Sequence, residues 1–171
     1  QHLRDAARFL GQSTTGANYE VIEDLSTQSY ETWIDAQMQL PEMSYLDSSI
    51  MVWDHFVQAY FDEWGQVVIE GNEDIFPASF YWRMAWWHTA IHGEDLLRQK
   101  VALALSELLV VSEDSRLDRD AFGLASYYDL LYTHAFGNYR DLIEGVTYHP
   151  AMGYYLSSIN NQPTNEEENI H

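Results

Sequence analysis

Apolar residues recur along this chain at intervals of three and four, the period of an α-helix with one buried face. Leu3, Ala6, Ala7 and Leu10 share a side, with Arg4, Asp5 and Arg8 off it, and Gly11 stands where a C-terminal cap belongs. After a turn-rich loop at residues 13–18, Val21, Ile22 and Leu25 open a second short helix. Ser29 suits the cap of a third, in which Tyr30, Trp33, Ile34, Gln37 and Met38 share a side until Pro41 stops it. Trp53, Phe56, Val57, Tyr60, Phe61 and Trp64 again step by three and four and predict a helix. Val67, Val68 and Ile69 are β-branched and read as a short strand or an extended connection. Pro77 suits the first position of a helix whose stripe is Phe80, Met84, Trp87 and Ile91, ending near Gly93.

Residues 95–156 organise the rest. Leu97, Val101, Ala104, Leu105 and Leu108 repeat at helical spacing, with Arg98, Lys100 and Glu107 elsewhere. A charged break at residues 112–120 follows. Ala121, Leu124, Ala125, Tyr128, Leu131, Tyr132 and Ala135 then form the cleanest stripe in the chain. Gly137 ends that helix, Asn138 caps the next (Leu142, Ile143, Val146), and Pro150 opens a last one through Met152, Tyr155, Leu156 and Ile159. The pattern predicts an all-α protein of about eight helices, packed as an orthogonal helical module with no substantial sheet. Residues 1–160 make the helical domain, and 161–171 an acidic flexible tail or connection.

Composition narrows the function classes. The chain has 171 residues, 46% hydrophobic and 15% aromatic, enough for a sizeable core. Against 27 acidic residues stand 8 basic ones, of which Lys100 is the one lysine, for a net charge of −19. Such a charge repels nucleic acid and anionic lipid. No run approaches the roughly 18 apolar residues that a transmembrane helix needs. With no cysteine there is no disulfide framework, thiolate metal site or thiol nucleophile.

Three stretches carry a resemblance: AARFLGQSTTG near the start, DLLRQKVALALSELLVVS in the middle, and YYDLLYTHAFGNYRDLIEGVTYHPAMGYYLS after it. Together they resemble the bacterial domain-of-unknown-function 1800 family. Thr15 stands where that family's early motif usually has Phe. The resemblance implies the N-terminal part of a longer, exported bacterial protein of the periplasm, outer surface or extracellular space. It implies no activity.

Candidate chemistry is sparse, and each candidate has a structural reading beside the functional one. His88 and His92, four apart, share a helical face and can ligate one metal, with Glu94 and Asp95 nearby. Equally, they are a surface pair at a helix end. His134 and His149, with Asp129, Arg140, Asp141 and Tyr128, can form an acid/base group. Alternatively His149 caps a helix, His134 suits a helix C-terminus and Arg140 pairs with a carboxylate. Asp114, Asp118 and Asp120 lack the spacing of a calcium loop and read as solvated. Of the clustered tryptophans, Trp87 falls on the expected core stripe, while Trp82 and Trp86 fall off it, free for a sugar or for packing against further chain. No phosphate loop, nucleophile elbow or dinucleotide fingerprint is present. Two readings result. One is an exported helical module that binds in envelope or surface assembly, its partner the remainder of its own longer chain, another envelope protein or a glycan. The other is a metal- or acid/base-dependent hydrolase of an extracellular polymer, using His134, His149, Asp129 and Arg140.

Overall fold

Most of the helices begin where the sequence supplies an oxygen or nitrogen to accept the free N–H groups of a first turn, those starting at Ser79 and Leu96 being the exceptions. In a computed structural model, which describes residues 2–65, 76–114 and 116–158, nine α-helices are present and no strand occurs among the described residues. Asn18 caps α2 (Tyr19–Ser26), Ser29 caps α3 (Tyr30–Gln39) and Ser44 caps α4 (Tyr45–Trp64). Asp120 caps α7 (Ala121–Thr133), Asn138 caps α8 (Tyr139–Tyr148), and His149 caps α9 (Pro150–Tyr155), which opens on the expected proline. Gly65 ends α4 in the left-handed region at φ 70°, where a side chain would be strained.

Two ends differ from expectation. α1 (Leu3–Ser13) runs through Gly11 and stops at Thr14, whose hydroxyl and N–H both bond the Leu10 carbonyl. Pro77 lies outside α5 (Ser79–His92), which starts after Ala78. The segment Val67 to Ile69, Ile159 and the acidic tail lie outside the described residues.

α7 is the central helix. Its expected stripe is buried from Ala121 to Tyr132, Ala135 being half-buried in the 3-10 turn that follows, and Tyr127 is buried as well, so α7 meets neighbours on several sides. One core joins Leu124, Tyr127 and Leu131 to Leu142 and Val146 of α8 and Ala151 of α9. A second joins Ala125, Tyr128 and Tyr132 to Tyr45 of α4 and Ala102 of α6 (Leu96–Leu108). The third is built by α1–α3 from Ala6, Leu10, Leu25 and Trp33. α6 connects these groups, because Leu97 packs on the third and Leu105 on the first.

Two helices turn a different face inward from the one their stripes predict. On α5 the expected core residues Phe80, Met84, Trp87 and Ile91 are exposed, Trp87 by 60% and Ile91 by 69%. Ala85 and Thr89 are buried there, flanked by the half-buried Trp82 and Trp86. α5 is apolar nearly all round, so periodicity does not choose a face. The small side chains at Ala85 and Thr89 let α5 lie close to α4 and α7, its neighbours. On α6, Leu108 is 76% exposed and Ala104 is exposed, whereas Arg98, Gln99 and Ala102 are buried.

Asp129 fastens α4 to α7. Its carboxylate accepts the Ser44 hydroxyl at 3.0 Å and the N–H groups of Tyr45 at 2.6 Å and Leu46 at 3.0 Å. Asp129→Ala leaves these donors without their acceptor and is expected to cost about 1–3 kcal/mol. At this size, thermal denaturation should register that as a fall of about 2–4 °C per kcal/mol. An unchanged midpoint would mean that water replaces the carboxylate at no cost.

Candidate binding groove

Two of the four acid/base candidates, Asp129 and His149, lie on different sides of α7. Asp129 faces the start of α4, as described, and its carboxyl is raised above the usual 3.8, chiefly by burial, against its three hydrogen bonds. His149 is on another side of α7. Its Nδ1 accepts the Ala151 N–H at 3.2 Å, and its ring lies 5.2 Å from that of Tyr127, edge to face. Positions 127 and 129 stand about 200° apart round a helix, so α7 itself separates Asp129 from His149. His134 sits at the C-terminal cap of α7, where a short 3-10 turn (His134–Phe136) follows. Arg140 is exposed on the first turn of α8 and makes no ion pair among the described residues. The expected carboxylate partner for Arg140 is therefore absent there. His88 and His92 are exposed with ring centroids 4.8 Å apart. Among the described residues no group of three or more His, Asp or Glu side chains is placed to hold a metal ion.

A buried polar cluster that the stripes did not reveal lies between α6, α7 and the α3–α4 connection. Tyr132 donates its hydroxyl to Asp95, which also accepts Gln99 Nε2 at 2.9 Å. Spent on these two partners, the Asp95 side chain makes no cap bond to α6. The Arg98 guanidinium lies 5.5 Å from the Tyr132 ring centre and 4.6 Å from that of Phe136, and pairs with Glu42 at 3.2 Å. Gln37 bridges α3 to α6, donating to the Glu94 carbonyl at 3.0 Å and accepting the Leu97 N–H at 3.1 Å. The hint available in sequence was an amide on the inward side of α3 (Gln37), since buried polar groups require partners.

One accessible feature is a groove of about 1110 Å³ between the α1–α2 connection, α2, the C-terminal half of α5 and α6. Trp86, Trp87 and Ile91 supply apolar surface, and Glu20, Asp24 and Lys100 supply charge. A smaller cavity of about 240 Å³ lies beside it and shares Trp86, Trp87 and Leu103. The tryptophan assignment from the stripes is thus reversed: Trp87 faces solvent, and Trp82 and Trp86 pack against Tyr128 and its neighbours. Burial raises the Tyr127 and Tyr128 hydroxyls to about 12, so both are neutral at ordinary pH.

Burial lowers the His149 pKa, against a hydrogen bond with the Ser126 backbone. In the window below the unfolded value of 6.5 the folded state then binds fewer protons than the unfolded one. The contribution is present in full above 6.5 and is lost as pH falls through the folded value. His149→Asn keeps an acceptor for the α9 cap, and should lose less melting temperature than the parent between pH 7.5 and 5.5. Equal losses would assign the acid sensitivity to other groups.

No curated protein and no solved structure matches the chain. The family described as "Protein of unknown function (DUF1800)" matches over residues 8–170. That span takes in the groove walls, the buried polar cluster and all of α7, and the chain belongs to the DUF1800 family.

Proposed function

We propose that this chain is a non-catalytic binding module of an exported bacterial protein, and that it holds a partner polypeptide in the groove beside α5. The carrying observation is the apolar stripe Phe80, Met84, Trp87 and Ile91, exposed along α5 and running into the groove at Trp87 and Ile91. Exposed apolar surface continuous with a concavity is what a docking segment covers. Glu20 and Asp24 on one wall and Lys100 on another give a polar rim that fixes register. The placing of Asp129 and His149 on different sides of α7 favours binding over hydrolysis, because acid/base catalysis needs its groups within reach of one substrate. The envelope setting rests on the family resemblance. The partner is the remainder of a longer chain or a second envelope protein, and a glycan is the competing occupant.

A photo-crosslinking residue placed at Met84 or Ile91 in the source cell should join one defined polypeptide, while the same residue at the exposed Leu108 should not. Crosslinking that is equal from all three positions would sink the docking reading. So would turnover of an envelope polymer by the purified chain that Asp129→Ala or His149→Ala abolishes; that outcome would establish the hydrolase instead.

A further inference from the structure

The smaller cavity beside the groove is walled by aromatic rings from two helices: Trp82, Trp86 and Trp87 of α5, and Tyr127 and Tyr128 of α7. Its geometry is that of a box. The Trp86 and Trp87 rings stand 5.0 Å apart at 88°, which makes a corner, and Trp82 and Tyr128 stand 5.1 Å apart at 51°. A sugar prefers one open flat platform, whereas ring faces meeting at right angles surround a compact group. The volume of about 240 Å³ is below the roughly 300–1,000 Å³ that holds a drug-sized molecule. The occupant is therefore small.

Electrostatics select its class. Aromatic faces carry negative potential and attract a desolvated cation. Tyr128, a residue 5% exposed, contributes to this wall, and its buried hydroxyl lies beside the Trp86 indole. No carboxylate lines the cavity, and the other hydroxyls are engaged, Tyr127 with the Leu109 carbonyl and Ser106 with the Leu103 carbonyl. A primary ammonium would find too few acceptors there. A quaternary ammonium requires none. Arg83 also lines the cavity, and its partner Glu113 forms an exposed ion pair at 2.9 Å, weak enough to exchange for another carboxylate.

From these features we infer that the cavity binds a small quaternary-ammonium zwitterion of the betaine type. The trimethylammonium group sits among Trp82, Trp86, Trp87 and Tyr128, and the carboxylate meets Arg83. The chain's net charge of −19 favours approach of the cationic end. This site goes beyond the docking proposal and does not rest on it. Its ligand is a small molecule, so either can fail alone.

The test is a titration of the 171-residue chain with trimethylglycine at constant ionic strength, followed by calorimetry and by tryptophan fluorescence. Two probes separate the contributions: tetramethylammonium, which lacks the carboxylate, and 3,3-dimethylbutanoate, which has the same shape with a neutral carbon in place of nitrogen. Trimethylglycine should bind saturably, and dimethylbutanoate about tenfold more weakly or worse. Arg83→Gln should weaken trimethylglycine and leave tetramethylammonium unchanged. Trp86→Leu should weaken both; because Trp86 also packs on the core, Trp87→Ala on the exposed rim serves as the second variant. Equal binding of the neutral analogue would reduce the site to an apolar pocket and overturn the inference. Absence of binding by either ammonium compound would overturn it too, as would binding that survives Trp87→Ala unchanged in a folded Trp86→Leu background.

Discussion

The hydrogen bond from Tyr132 to Asp95 is the constraint on which most of the arrangement depends. Asp95 is 2% exposed, and a carboxylate so placed needs partners for its oxygens. Tyr132 supplies one from α7 and Gln99 supplies another from α6, so the start of α6 is held against the middle of the protein. The Tyr132 oxygen also lies 3.4 Å from the Met43 N–H, which ties in the segment leading to α4. Arg98 covers the same ring and reaches Glu42, whose other oxygen accepts the Thr133 hydroxyl at 3.0 Å. Loss of one member leaves others buried without partners, and for that reason such networks fix one geometry.

α7 carries the second anchor on its neighbouring turn. Asp129 gathers the start of α4, and Tyr128 and Tyr45 meet edge to face at 4.8 Å just beside it. Through α4 this sets the position of α5, which packs along it. With Ala85 and Thr89 directed inward, the larger side chains of α5 are distributed between the cavity walls and solvent. The aromatic box and the exposed stripe are thus two consequences of one helix orientation.

The local signals in the sequence translated directly into structure. Ser29, Asn138 and the His149-Pro150 pair mark helix starts because each acts within one turn, on N–H groups that no tertiary contact needs to supply. The α7 stripe was readable for a related reason: the helix is buried on several sides, so the stripe positions from Ala121 to Tyr132 all prove to be inside. The three family-like stretches were readable as well, and they point to the family whose match spans residues 8–170.

The faces of α5 and α6 and the make-up of the groove were decided by tertiary packing. A helix with apolar residues all round presents equivalent stripes to the sequence reader, and only the shape of α4 and α7 selects Ala85 and Thr89 over Met84 and Trp87. On α6 a polar pair is buried while Ala104 and Leu108 of the expected stripe are exposed, because Asp95, Glu42 and Tyr132 supply partners that make burial of Arg98 and Gln99 tolerable. Those partners lie up to 56 residues away along the chain. The sequence by itself therefore determined the helices, several of their caps, the central stripe and the family, all of which rest on short-range patterns. The tertiary structure decided which side chains meet, since burial of a polar group or exposure of an indole depends on neighbours that no local period contains.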